Sequence, residues 1–230
     1  MVYDPARMRR RDVFDVITEG GAGTVKINDI PAYALPSPAD LPANLAQWEI
    51  DPSRAALLVH DMQQYFVRPF PQEMAAELVG NTELVRSRCR QAGVPVAFSL
   101  QPGGMSPQER GLLADFWGPG MGTDPRDTST LERLLPGPEE KTFTKWRYSA
   151  FFRNGLLEWM RQTDRDQLII CGVYAHIGVL ATAMDAFTND IQPFVVADAT
   201  ADFSAKHHRA ALEYVAERCA VVIDSSEVLS

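Results

Sequence analysis

Apolar residues fall along this chain in two alternating textures. Short unbroken apolar runs, such as Ala55-Ala56-Leu57-Leu58-Val59-His60 and Leu168-Ile169-Ile170-Cys171-Gly172, alternate with longer segments whose apolar residues recur at helical spacing. An unbroken run predicts a strand covered on both faces. Further strands are expected at 94–100, 142–145, 193–197 and 219–223. Between them, Met74 to Gln91 carries Leu78, Val79, Thr82, Val85 and Cys89 near helical spacing, and Gly93 stands where a helix-ending glycine belongs. Ser106-Pro107-Gln108-Glu109 combines a capping serine, a first-turn proline and the glutamate of a capping box. Asp124-Pro125 opens a helix in the same way. Ser149 is expected to cap a helix running to about Gln162, another helix spans about 176–187, and Ser204 caps one reaching about Ala216.

Strands alternating with helices predict parallel βαβ units. The expected fold class is therefore α/β: a three-layer αβα sandwich around a mostly parallel sheet of about six strands. Pro31, Pro36, Pro38 and Pro42 mark an extended lead-in, so one domain is expected over 30–230, with 1–29 as an N-terminal extension. In open parallel sheets, ligands bind beyond the carboxyl ends of the strands. Three such ends carry chemistry: His60-Asp61-Met62-Gln63, Lys145-Trp146-Arg147-Tyr148, and Gly172-Val173-Tyr174-Ala175-His176-Ile177-Gly178. Singly, Asp61 reads as a turn-capping aspartate, Lys145 as a solvated lysine and Gly178 as a packing glycine. On one rim of the sheet, they predict a pocket where a carboxylate, an ammonium and a helix start meet.

Composition narrows the class. A chain of 230 residues suffices for one α/β domain, and a net charge of -8 disfavours nucleic acid as a partner. Cys89, Cys171 and Cys219 are odd in number and sit in apolar runs, which suits reduced core thiols in a cytoplasmic protein. No stretch is apolar enough to span a membrane, and the arginines at 7 and 9–11 are followed by no apolar signal segment. His60 is expected to be structural and His176 to lie in the turn near the pocket. His207 and His208, adjacent on a helix, cannot converge on one ion, so no metal is expected.

From Ile30 onward the chain resembles the isochorismatase family. The resemblance rests on IPAYALP (30–36), ALLVHDMQQYF (56–66), QPGGMSPQERGLLADFWGPGM (101–121), TKWRYSAF (144–151), CGVYAHIGV (171–179) and DIQPFVVADATADFS (190–204). The PGGM and RGLLADFWGPGM segments favour the phenazine branch, which hydrolyses 2-amino-2-deoxyisochorismate to pyruvate and trans-2,3-dihydro-3-hydroxyanthranilate. Siderophore versions, acting on isochorismate, often carry an aryl-carrier domain that is not expected after Ser230. Amidase relatives of the wider superfamily use an Asp, a Lys and a nucleophilic Cys. The matching positions here are Asp61, Lys145 and Gly178, and glycine offers no nucleophile. The resemblance therefore implies a cofactor-free hydrolase that opens an enol ether by proton transfer from Asp61. Lys145 and Gly178 complete the catalytic group, and Gln101, Arg110, Trp117, Tyr174 and Tyr65 bind a small dicarboxylate. Tyr174 is expected to hydrogen-bond the substrate, backbone N–H groups near Gly178 to hold a carboxylate, and the protein to be a homodimer.

Overall fold

The computed structural model describes residues 14–17 and 24–230, with side chains from Ile27 onward. Strands β1 (Phe14–Ile17) and β2 (Thr24–Ile27) form an antiparallel pair. The main sheet holds six strands: β3 (Ala55–His60), β4 (Val96–Leu100), β5 (Lys141–Thr144), β6 (Gln167–Val173), β7 (Gln192–Ala201) and β8 (Val221–Ile223). Their order is β5-β4-β3-β6-β7-β8, and every pairing is parallel. The expected three-layer α/β sandwich is thus present, with a sheet that is wholly parallel.

Successive strand residues point to opposite faces, and both faces are covered. Leu57, Val59, Phe98, Ile169, Cys171 and Val196 share one core with Leu78, Val85 and Cys89 of helix α2 (Gln72–Gln91). Ala56, Leu58, Ala97, Leu168, Ile170 and Val195 share the other core. There they meet Leu156 and Met160 of α6 (Leu156–Gln162), Ala183 and Ala186 of α7 (Leu180–Thr188), and Leu212 and Val215 of α8 (Ala205–Arg218). Every residue of β3 and β6 is buried, which is why these strands read as unbroken apolar runs.

Helix punctuation follows side-chain chemistry. The Glu109 N–H donates to Ser106 Oγ while Glu109 Oε2 accepts from the Ser106 N–H. This box starts α3 (Pro107–Arg110), which Gly111 ends at φ +51°, and α4 (Leu113–Trp117) follows. Asp124 caps only a single turn, α5 (Pro125–Thr128), and a short helix α1 (Gln64–Val67) follows β3. Ser204 caps α8 as expected, its Oγ accepting from the His207 N–H. The expected cap at Ser149 is corrected. Its hydroxyl donates to Asp185 Oδ2 at 2.6 Å, and α6 begins only at Leu156, whose N–H donates to Asn154 Oδ1. The helix expected from 176 opens as a π-helical turn, Ala175–Val179, before α7. No helix among the described residues is long and apolar enough to cross a membrane.

Candidate active site

The chain runs from β3 through β4 to β5 on one side, then crosses back so that β6 pairs with β3 from the other. The connections leave β3 and β6 in opposite directions, which opens a crevice beyond their carboxyl ends. Asp61 stands there, at φ +51°, a left-handed conformation that aspartate tolerates better than most residues. Its N–H donates to the Ser99 carbonyl at the end of β4, and its own carbonyl accepts from the Gln63 N–H. The side chain is thereby turned into the crevice.

Lys145 follows β5, two strands away, and its backbone N–H donates to the Leu100 carbonyl. The four methylenes carry the ammonium across β4, and Nζ lies 2.9 Å from Asp61 Oδ2. Ser99 Oγ donates to Asp61 Oδ1 at 3.3 Å. Both members of the Asp61–Lys145 pair are buried, at 5% and 6% exposure. His60 Nδ1 lies 3.8 Å from the same carboxylate but donates instead to the Val173 carbonyl at 2.9 Å. Burial pushes the His60 imidazole down to about 4, against the pull of Asp61, so the ring is neutral near neutral pH.

Asp61, Lys145, Gly178, Gln101, Arg110, Trp117, Tyr174 and Tyr65 all line one cavity. Arg147 and Tyr148, from one of the strand ends expected to carry chemistry, also face it, as do Phe66, Phe203 and Ile27, which the sequence did not single out. Ile27 belongs to the segment expected to be an extension, yet it is buried in the main core. The role of Gln63, next but one to Asp61, is a further omission. Its side-chain amide donates to the Gln101 carbonyl and accepts from the Gln101 N–H, which fixes the backbone of that pocket residue.

Arg110 is buried, and its Nε donates to the Gly118 carbonyl at 2.9 Å. Gln101 Oε1 and the Trp117 carbonyl lie 3.4 Å from its other nitrogens. Among the described residues no carboxylate pairs with it. Gly120 makes this packing possible: a Cβ there would fall 2.7 Å from the Arg110 Cζ. Trp117 Nε1 donates to the Tyr148 hydroxyl at 2.7 Å, which ties α4 to the loop after β5. Tyr65 lies close enough to Arg110 to feel its charge, but burial dominates and pushes the phenol up to about 12.

One expectation is corrected here. The Tyr174 hydroxyl already donates to the Phe66 carbonyl at 2.6 Å, so its proton is not offered to a ligand. Its ring, packed on Phe203 with centroids 4.3 Å apart, acts as a wall. Two backbone donors just before Gly178 are engaged within the fold: the His176 N–H donates to Asp202 Oδ2 and the Ile177 N–H to the Tyr174 carbonyl. Gly178 itself faces the His60 ring. A Cβ on residue 178 would lie 2.3 Å from His60 Cε1 and 2.9 Å from Nε2. His60 therefore fills the place a side chain at 178 would need.

The model of the isochorismatase domain matches residues 55–227 of this sequence. This chain belongs to the isochorismatase family. It is 57% identical over 203 residues to the phenazine biosynthesis protein PhzD1 of Pseudomonas aeruginosa, covering 88% of this chain and 98% of the relative. The isochorismatase of Bacillus subtilis is 48% identical over 202 residues, 87% of this chain and 65% of the relative. Among solved structures, a cysteine hydrolase from Pseudomonas syringae superposes with a TM-score of 0.73 at 22% identity, covering 82% of this chain and 95% of the other, a likeness of fold.

This isochorismatase-family enzyme presents no thiol at its pocket. Burial pushes Cys89 up to about 12, Cys171 well above the usual thiol range and Cys219 up to about 11. All three are buried core residues. The described residues lining the pocket include no Cys, Ser or Thr, whereas they include one carboxylate and three cations, Lys145, Arg110 and Arg147.

Proposed function

We propose that this protein hydrolyses the enol-ether bond of 2-amino-2-deoxyisochorismate or isochorismate, releasing pyruvate and a dihydro-hydroxyanthranilate or dihydroxybenzoate-type diene. The observation that carries this reading is the composition of the pocket: a buried carboxylate beside surplus cations, with no cysteine, serine or threonine among the described lining residues. Such a site suits an anionic ring substrate and proton-transfer chemistry. The relatives named for phenazine biosynthesis and for isochorismatase activity support the same substrate class.

In this reading Arg110 takes one substrate carboxylate through parallel hydrogen bonds, which explains why it is buried without a carboxylate of its own. Lys145 takes the other. An incoming carboxylate competes with Asp61 for the ammonium, and this frees the Asp61 carboxyl to carry a proton. Asp61 transfers that proton to the terminal methylene carbon of the enol ether. The C=C electron pair forms the new C–H bond and leaves an oxocarbenium ion at the adjacent carbon. Water adds there and returns a proton to Asp61. The hemiketal then collapses, and the ring oxygen leaves as an alcohol. Gly178 supplies a wall with no nucleophilic side chain, and no covalent intermediate forms. Trp117, Tyr65, Tyr174 and Gln101 shape the cavity around the ring. The working unit is proposed to be a cytoplasmic, cofactor-free homodimer of the 30–230 domain.

The test is pyruvate release from each substrate in H2-18O. Pyruvate together with an unlabelled ring hydroxyl is expected, because water attacks the former vinyl carbon. No pyruvate from either substrate with folded protein overturns the reading, and label in the ring hydroxyl overturns the mechanism. A preference for isochorismate in kcat/KM would instead assign the siderophore-type reaction. Hydrolysis of an amide substrate would place the protein with the amidases.

A further inference from the structure

The chain contains four histidines, none before residue 60. Two are sealed inside. His60 is fully buried beside Asp61, and His208 is buried between Tyr33 and Thr200, its ring nitrogens 3.2 and 3.0 Å from their hydroxyls. The other two, His176 and His207, come from different elements and face each other. His176 lies in the π-helical turn after β6 and His207 in the first turn of α8. Their rings stack with centroids 4.7 Å apart and planes 20° from parallel. Adjacency of His207 and His208 along α8 is irrelevant to this pairing, because the two side chains leave the helix on different sides.

A third donor completes the cluster. Asp202, fully buried at the end of β7, lies with Oδ1 2.6 Å from His176 Nδ1. Its carboxylate is oriented by two backbone donors, the Phe203 N–H on Oδ1 and the His176 N–H on Oδ2. One ligand atom from each of His176, Asp202 and His207 lies within 4.8 Å of the others. We propose that these three side chains bind a borderline-soft divalent cation of the Zn2+ class, at a site separate from the Asp61 pocket.

The chemistry favours that class over Mg2+ or Ca2+. Two imidazoles and one carboxylate are nitrogen-rich, whereas the hard cations take oxygen ligands. Ligand atoms around tetrahedral zinc sit about 2.0–2.2 Å from the metal, hence about 3.4 Å from one another, so His207 must approach by about 1–1.5 Å while the 2.6 Å contact of His176 with Asp202 opens. His207 is exposed and free to make that movement, while Asp202 and His176 are already held. The ion displaces the proton between His176 Nδ1 and Asp202 Oδ1 to solvent, leaving two neutral imidazoles and a carboxylate as ligands. The remaining coordination position faces solvent, since the His176 side chain is 31% exposed. Phe203, whose ring touches His176 at 5.6 Å, lines the substrate cavity, so the ion would tie the wall of that cavity to α8.

Calorimetric titration of chelator-treated protein with ZnCl2, beside the variants His207→Ala and His176→Ala, tests this. One Zn2+ per chain is expected for the wild type. His207→Ala should weaken binding at least about 10-fold, the scale on which even outer-shell partners act. Zinc should also raise the thermal midpoint of the wild type but not of His207→Ala. His176→Ala removes a ligand that also braces Asp202, so the exposed His207 carries the decision. Absence of saturable 1:1 binding, undiminished binding by His207→Ala, or equal binding of MgCl2 overturns the proposal.

Discussion

The imidazole of His60 occupies the space beside Gly178, so that a Cβ at residue 178 would meet His60 Cε1 at 2.3 Å. Two residues 118 positions apart thus shape one wall together. Residue 178 carries no side chain and is backed by a buried neutral ring.

Gly178→Ala should therefore be overpacked. The ring is buried and held by the Val173 carbonyl, so it cannot swing aside without cost. The variant is expected to lose about 1–3 kcal/mol of stability, with a fall in kcat/KM because the ring borders Asp61. Urea unfolding and steady-state kinetics measure both. A wild-type midpoint would show that the ring moves freely.

Arg110 offers a split between binding and turnover. Arg110→Gln removes the buried guanidinium while keeping a hydrogen-bonding head. The lost charge-assisted bonds amount to about 1.5–3 kcal/mol, which corresponds to a rise in KM on the order of 10- to 100-fold. An unchanged KM would remove Arg110 from substrate binding.

Thiol chemistry should be dispensable. With Cys89, Cys171 and Cys219 buried and their thiols pushed upward, the triple Cys→Ala variant is expected to keep kcat within about 3-fold of wild type, provided the fold is intact by circular dichroism. Abolished turnover in a folded triple variant would restore a covalent mechanism.

The strands were legible because burial on both faces leaves no alternation to misread. The crossing between β3 and β6 then placed Asp61 at the crevice. Capping boxes such as Ser106–Glu109 were legible because both partners lie within one turn. Ser149 misled: its hydroxyl accepts from the Phe151 N–H and donates to Asp185, 36 residues on, but the chain turns there and the helix starts only at Leu156. Tyr174 misled through a distant partner, its proton going to Phe66, 108 residues earlier. The roles of Ile27 and Gln63 were not legible because nothing in their local pattern says what they touch. The same holds for the meeting of His176 with His207, which depends on the packing of α8 against the turn after β6.

His60 and His208 make stability pH-dependent. Burial lowers both to about 4 in the folded state, from 6.5 when exposed. Between these values the unfolded chain binds more protons, so stability rises with pH across the window. The contribution is fully present above about pH 6.5 and is lost as pH falls towards 4, on the order of 3 kcal/mol per histidine. Urea melts from pH 7 to 4.5 should show this slope, and His208→Gln should reduce it by about half. A flat profile would mean that neither ring is held neutral.

The central claim is that Asp61 delivers a proton to carbon. Asp61→Asn keeps the size of the side chain and one of its two acceptor oxygens but cannot act as the acid. Pyruvate release by this variant, followed at saturating substrate, is the direct test. The expected result is a folded protein that binds substrate with kcat reduced about 100- to 10,000-fold. Turnover at the wild-type rate would contradict the account.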